Sequence, residues 1–220
     1  MLTRRGLLAA AGAAAGLAAL GQTRPATAAT MSGFKLTMTT MFWVGEPADA
    51  ENAYIPNDQS YWDKDWLANF GGLDHPWRRD GHWPSGFMPR ENPFYVALPY
   101  GEFLDDGLLK DEAYEVPWYR PGLTPLLKNR WVEIRHDAGI CFAQWQDVGP
   151  CGEDDFAFVF GASHVPLNTF DAKAGLDVSP AVWHVLGMKE NAVTAWRFVD
   201  DEEVPEGPWT DIVTVSGNNR

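Results

Sequence analysis

The sequence has little cysteine and little positive charge. Two of its 220 residues are cysteines, and 17 lysines and arginines stand against 30 aspartates and glutamates, for a formal net charge of −13. A chain this acidic should repel nucleic acid and anionic lipid, so we expect no nucleic-acid partner, whereas neutral glycans and cationic groups remain possible partners. It has no CxxC pair, Gly-rich phosphate loop or internal repeat, so zinc-ribbon, nucleotide-binding and solenoid classes have no support.

The sequence also lacks a long hydrophobic run. A mild run of Ala, Gly and Leu follows Arg4-Arg5 and ends at Leu20, before the small-residue site at 26–28. This layout is typical of a twin-arginine secretory signal, so we expect residues 1–28 to direct export to the periplasm or the exterior. The alternative, a membrane anchor, is disfavoured by the shortness of the run. We predict no membrane span in the mature chain.

The remaining 190 or so residues suffice for one domain with a sizeable core, and 11 Trp, 12 Phe and 6 Tyr supply apolar area for it. Apolar or alternating runs predict six strands, at about 35–44, 94–101, 130–135, 140–145, 156–160 and 193–199. Ser179-Pro180 predicts the start of a helix that stops at Gly187. Six short strands with one solid helix predict an all-β fold with minor α content, a small β-barrel.

Two stretches rich in Gly, Pro, Asn and Asp interrupt the strands, at about 45–93 and 102–128. Such residues make turns rather than long helices. The first insertion is also aromatic, so we expect it to be ordered, to pack on the barrel and to contain a short helix within 60–70. The barrel domain then covers 33–204, an acidic tail covers 205–220, and we expect a monomer.

The two cysteines, Cys141 and Cys151, are ten residues apart. An even pair in an exported protein favours a disulfide, and the segment 147–150 between them is expected to turn the chain so that the sulfurs meet. A metal site of two thiolates is the alternative, but no nearby histidine pair supports it. We predict no metal and no cofactor.

Four short motifs follow one another along the chain: Thr40-Met-Phe-Trp-Val-Gly45, Leu98-Pro-Tyr-Gly101, Gln146-Asp-Val-Gly-Pro150 and Leu176-Asp-Val-Ser179. In this order they resemble the double-psi β-barrel domain of the rare lipoprotein A, expansin and family 45 endoglucanase superfamily, over about half of the mature chain. The resemblance implies a six-stranded double-psi barrel that binds or cleaves cell-wall polysaccharide, peptidoglycan or another glycan.

The resemblance also implies two catalytic residues. Asp147 matches the family's aspartate before Gly-Pro, and Asp177 matches the aspartate at the helix start. Two carboxyls beside one cleft can divide acid and base work between them. Each aspartate has a structural alternative, because Asp147 could accept N–H bonds in its own turn and Asp177 could only organise the helix start.

The chain departs from the family's catalytic pattern at two positions. Tyr95 stands where the lytic enzymes carry a histidine, and Val44 stands where family 45 enzymes carry a base aspartate, with Glu46 the nearest acid. Three classes of function therefore stay open: a glycan-cleaving enzyme (glycoside hydrolase or lytic transglycosylase), a non-catalytic carbohydrate-binding module, and a secreted interaction domain.

Aromatic side chains are the second signal of a glycan site. Trp77 and Trp83 lie among charged residues of the first insertion, and Trp43, Tyr95 and Trp145 lie in or beside the motifs. Aromatic faces stack on the C–H surfaces of sugars, so we predict that these five residues bind substrate. The alternative is that the rings supply the insertion's own core.

Overall fold

The computed structural model describes residues 33–137 and 139–216. The predicted signal at 1–28 and the last four residues of the tail lie outside the described residues. Within the described ranges, no helix is long and apolar enough to cross a membrane.

The described residues form short strands and shorter helices. In chain order they are β1 (Lys35–Met41), α1 (Trp66–Phe70), β2 (Arg79–Asp80), β3 (Trp83–Pro84), β4 (Tyr95–Leu98), β5 (Trp131–His136), β6 (Gly139–Val148), α2 (Phe156–Val159), β7 (Leu176–Val178), α3 (Pro180–Val185) and β8 (Ala192–Val199). The predicted all-β class with minor α content is confirmed.

Six of these strands close into a mixed barrel in the order β1-β7-β4-β6-β5-β8. The β1–β7 and β4–β6 pairs are parallel and the other four are antiparallel. β5 and β6 form a hairpin, in which His136 is in register with Gly139. α3 is also confirmed: the Ser179 Oγ accepts from the Val182 N–H at 3.3 Å, and Pro180 opens the helix.

One of the six predicted strands was wrong. Residues 156–159 form α2, because the Asp155 carboxylate accepts from the Phe158 N–H at 3.2 Å and caps a helical turn. A short apolar run fits a buried helical turn as well as a strand. The sixth barrel strand is β7 instead, and its three residues give almost no alternating pattern.

The barrel interior is filled by large apolar side chains. Trp145, Trp196, Phe158, Ile134 and Val96 are among those less than 2% exposed, and all belong to one cluster. Because β4, β5, β6 and β7 contribute alternate residues to this cluster, the outward-facing residues between them are available for the insertions and for a site.

The first insertion packs on the outer face of β1 and β4. Phe42, Trp66, Phe70 and Tyr95 form a second cluster there, with edge-to-face contacts at ring separations of 5.3–6.0 Å from Tyr95 to the other three. The expected ordered insertion is therefore present, although α1 begins at Trp66 rather than near residue 60.

The C-terminal segment is also packed. The Thr214 N–H donates to the Gln144 side-chain oxygen at 2.8 Å, and the Gln144 amide donates to the Thr214 carbonyl at 3.0 Å. The Asn92 N–H donates to the Thr214 hydroxyl at 2.9 Å. Residues up to 216 therefore belong to the folded body, beyond the predicted domain end at 204.

Candidate functional site

The two predicted catalytic aspartates lie in one row of the barrel sheet. β4 runs between β6 and β7, and Ala97 is in register with Asp147 on one side and with Asp177 on the other. Residues in one row point to the same face, and neighbouring strands are about 4.8 Å apart, so the two aspartate Cα atoms are about 10 Å apart. Residues distant in sequence thus meet on one face.

Both aspartates line an open groove of about 870 Å³. The ends of the barrel strands form its floor, and the first insertion forms one wall. Its charged lining residues are the acids Glu46, Asp49, Glu51, Asp147, Glu153, Asp177 and Glu190 and the base Lys189. This balance favours neutral or cationic ligands and repels anionic ones.

Asp147 is held in place by the first insertion. Its Oδ1 accepts the Tyr61 N–H and the Val148 N–H, each at 2.8 Å. Burial raises the pKa of Asp147 to about 7, and the two N–H bonds offset part of that effect. Near neutral pH the carboxyl is therefore present in both protonation states, which suits a general acid.

Tyr61 is itself locked by the Leu98–Gly101 motif and the residues after it. Its hydroxyl donates to the Phe103 carbonyl at 3.1 Å and accepts the Phe103 N–H at 2.8 Å. A Cβ added at Gly101 would lie 2.4 Å from the Tyr61 ring. The absence of a side chain at residue 101 therefore leaves room for the Tyr61 ring, while the Tyr61 backbone N–H bonds Asp147.

Asp177 is half-buried at the centre of β7. The Thr40 hydroxyl, in the next strand of the same row, donates to its Oδ1. Helix α3 is capped by Ser179, not by Asp177. The alternative role of Asp177 as organiser of the helix start therefore has no support from the capping contacts.

Glu46 is a third groove acid that the motif comparison did not assign. It is 8% exposed, and its Oε2 accepts from the Asn57 side-chain amide at 2.8 Å. Burial raises the pKa of Glu46 to about 8, and the negative charge of Asp177 adds to the increase. The sequence signal for Glu46 was weak: it is the first acid after Phe42 and Trp43, the two aromatic residues that follow β1.

Two of the five predicted aromatic residues line the groove. Trp43 is half-buried in it, and Trp77 is 72% exposed at its edge. An indole this exposed, beside a groove rich in hydroxyls and carboxyls, can stack on a sugar face. These two rings are the candidates for ligand contact.

The other three lie elsewhere. Tyr95 is fully buried and its hydroxyl bonds Asp74 and the Val44 N–H, so it belongs to the packing of the insertion. Trp145 is fully buried inside the barrel, where its indole N–H donates to the Asp147 carbonyl at 2.7 Å. Trp83 packs against His82 with the two rings tilted, outside the groove lining. The prediction that these three contact substrate is not supported by their positions.

Cys141 and Cys151 are not joined in the structure. Cys141 is buried in β6, which continues as an extended strand to Val148. Seven strand residues advance the chain by about 23 Å, and the three residues from 148 to 151 can return at most about 11 Å. The two Cα atoms are then well beyond the roughly 7 Å limit for a disulfide, so the expected early turn was wrong.

Within the part of the chain that the structure describes, no group of three or more His, Cys, Asp or Glu side chains is arranged to hold a metal ion. No protein-family model matches this sequence, and no curated protein matches it either. The assignment of a function therefore depends on the groove itself.

Proposed function

We propose that this protein is exported and binds cell-wall glycan in the groove, and that its barrel is of the double-psi type found in the rare lipoprotein A and expansin superfamily. Three of the four motifs that resemble this superfamily supply groove residues, including both aspartates. A closed, mixed, six-stranded barrel is compatible with the double-psi topology.

The observation that carries the proposal is the convergence of carboxyl and aromatic side chains in one open groove. Asp147, Asp177, Trp43 and Trp77 all line it. Its volume, about 870 Å³, lies within the roughly 300–1,000 Å³ range of small-ligand sites. The excess of acids favours an uncharged or amine-bearing glycan over an acidic one.

Cleavage is the chemistry that these carboxyls support. Asp147 can protonate the leaving glycosidic oxygen, while ionised Asp177 takes a proton from the water that attacks the sugar carbon. Such a division needs one carboxyl with a raised pKa, and burial gives Asp147 that property. The Thr40 hydroxyl orients Asp177 for this role.

A non-catalytic binding module is the second candidate, and the position of Tyr95 favours it. The family's lytic enzymes carry a histidine at that place, whereas Tyr95 is sealed in the core of the insertion. No histidine is among the described residues that line the groove. The groove could then bind glycan through its aromatic rings without breaking a bond.

Incubation of the protein with insoluble peptidoglycan, chitin and cellulose tests both candidates, with release of soluble sugar and co-sedimentation as the readouts. For an enzyme, Asp147→Asn and Asp177→Asn should each lower release by roughly 10²–10⁴-fold. Trp77→Ala should weaken sedimentation several-fold, and Trp83→Ala, outside the groove, is its matched control.

Sedimentation without release would decide for the binding module. Wild-type protein that neither sediments with any of the three polymers nor releases sugar would refute the proposal.

A further inference from the structure

Glu46 is the groove acid for which the proposed chemistry has no role. It follows β1 in the first insertion, and its backbone is fixed because the Asn57 N–H donates to its carbonyl at 3.0 Å. The Asn57 amide also donates to its Oε2, so one loop residue fixes both the main chain and the carboxyl. Glu46 is only 8% exposed, although it lines the groove.

The surroundings of Glu46 oppose a negative charge. Asp177 faces it from β7 and Asp49 faces it from its own loop, and both are acids. Lys189 is the one basic residue among the described groove-lining residues. Burial and these charges raise the pKa of Glu46 to about 8, whereas hydrogen bonds from the Trp43 backbone and the Asn57 amide lower it. Below that pH the carboxyl is chiefly neutral.

A neutral carboxylic acid has a property that a carboxylate lacks, because it donates a hydrogen bond as well as accepting one. A carboxyl kept neutral by its apolar site can act as such a donor at neutral pH. Uncharged sugars bearing an acetamido group present a carbonyl oxygen that can only accept. A carboxylate would repel this oxygen, and a protonated glutamic acid would bind it.

We propose that Glu46 is a ligand-binding residue of the groove, which acts as a neutral acid and donates a hydrogen bond to an acceptor oxygen of an uncharged glycan. This inference rests on the proposed glycan-binding function and adds the protonation state and the class of sugar to it. No bond is broken in this step, and the proton stays on Glu46.

The experiment measures the affinity of the exported form of the protein for a chitin tetrasaccharide, an uncharged acetamido probe, by calorimetry from pH 6 to pH 9.5. Two other groove residues need controls: Cys151, which is exposed, and Asp147, whose pKa burial raises to about 7. The series is therefore repeated with Cys151→Ser and with Asp147→Asn.

Wild-type affinity should fall roughly two- to tenfold as the pH rises through about 8, in both backgrounds, because ionisation removes one donor. Glu46→Gln keeps a donor and carries no charge, so it should bind well at pH 6 and lose this pH dependence. Glu46→Ala should bind weakly at every pH. Glu115→Gln is the matched control, since Glu115 is exposed and lies outside the groove lining, and it should leave the affinity and its pH dependence unchanged.

Glu46→Ala that binds like the wild type, or Glu46→Gln that keeps the alkaline fall, would overturn this inference and leave glycan binding intact. Wild-type protein that binds neither the tetrasaccharide nor any polymer would overturn the proposed function and the inference together. Glu46→Gln has the shape of the native residue, so a folding defect in the alanine variant does not hide the result.

Discussion

Replacing Tyr95 with phenylalanine should destabilise the protein while leaving the groove lining unchanged. The buried Tyr95 hydroxyl donates to Asp74 Oδ2 at 2.9 Å and accepts from the Val44 N–H at 3.0 Å. Asp74 is fully buried and pairs through Oδ1 with Arg79 at 2.5 Å. Phenylalanine keeps the ring contacts with the second core cluster and removes only the hydroxyl.

The expected loss in the free energy of unfolding comes from the two groups that no longer have the hydroxyl as a hydrogen-bond partner. A buried donor or acceptor without a partner costs about 1–3 kcal/mol, so the Val44 N–H and the Asp74 carboxylate together cost about 2–6 kcal/mol. The tyrosine hydrogen bond also lowers the pKa of Asp74, so its loss makes a neutral Asp74 more favourable and weakens the pair with Arg79. Typical domains are stable by about 5–15 kcal/mol, so this loss is large.

Urea denaturation, followed by tryptophan fluorescence, measures the free energy of unfolding of the wild type and of Tyr95→Phe. The matched control is Tyr54→Phe, since Tyr54 is 72% exposed in the same insertion and its substitution should change stability by less than about 0.5 kcal/mol. A loss below about 1 kcal/mol for Tyr95→Phe would contradict the network argument. Unchanged stability with lost glycan binding would instead restore the predicted substrate role of Tyr95.

Two further predictions concern Asp147 and the cysteines. The pKa of Asp147 is about 7 in the folded protein against an ordinary 3.8, so its contribution to stability is fully present below about pH 4 and is lost as the pH rises through 7. The free energy of unfolding of the wild type should therefore fall by up to about 4 kcal/mol relative to that of Asp147→Asn between pH 4 and pH 8. Urea midpoints that shift in parallel for both proteins would contradict this. Exposed Cys151 should react with a thiol reagent in native protein, whereas buried Cys141 should react only after unfolding. A denatured, unreduced protein that takes up no reagent would show that the two cysteines form a disulfide.

Features with a local cause were predictable from the sequence. Ser179 and Pro180 are sufficient to start α3, because capping needs only residues within one turn. The β5–β6 hairpin likewise joins two strands that are adjacent in the sequence. Asp147 and Asp177 were singled out through short motifs that resemble those of the double-psi family, and the structure places both beside the groove. Their shared row follows from β4 lying between their strands.

Features that depend on distant contacts were not predictable. Nothing near Tyr95 in the sequence shows that Asp74, about twenty residues earlier, would cover its hydroxyl. Trp145 alternates with polar residues in β6, but only barrel closure decides which face is inside. Glu46 was noted as the nearest acid to a family position, yet its burial requires the fold of the whole insertion.

The geometry of the groove depends on the closure of the barrel at its shortest strand. β7 has three residues, and it pairs with β1 on one side and with β4 on the other. It therefore has too few hydrogen bonds to hold Asp177 in position alone, and the register comes from both neighbours. Asp147 lies in β6, which pairs with the other edge of β4. Opening the β1–β7 pair would therefore release Asp177 from Thr40 and change its separation from Asp147. The barrel thus holds two acids, Asp147 of β6 and Asp177 of β7, in one row on either side of β4.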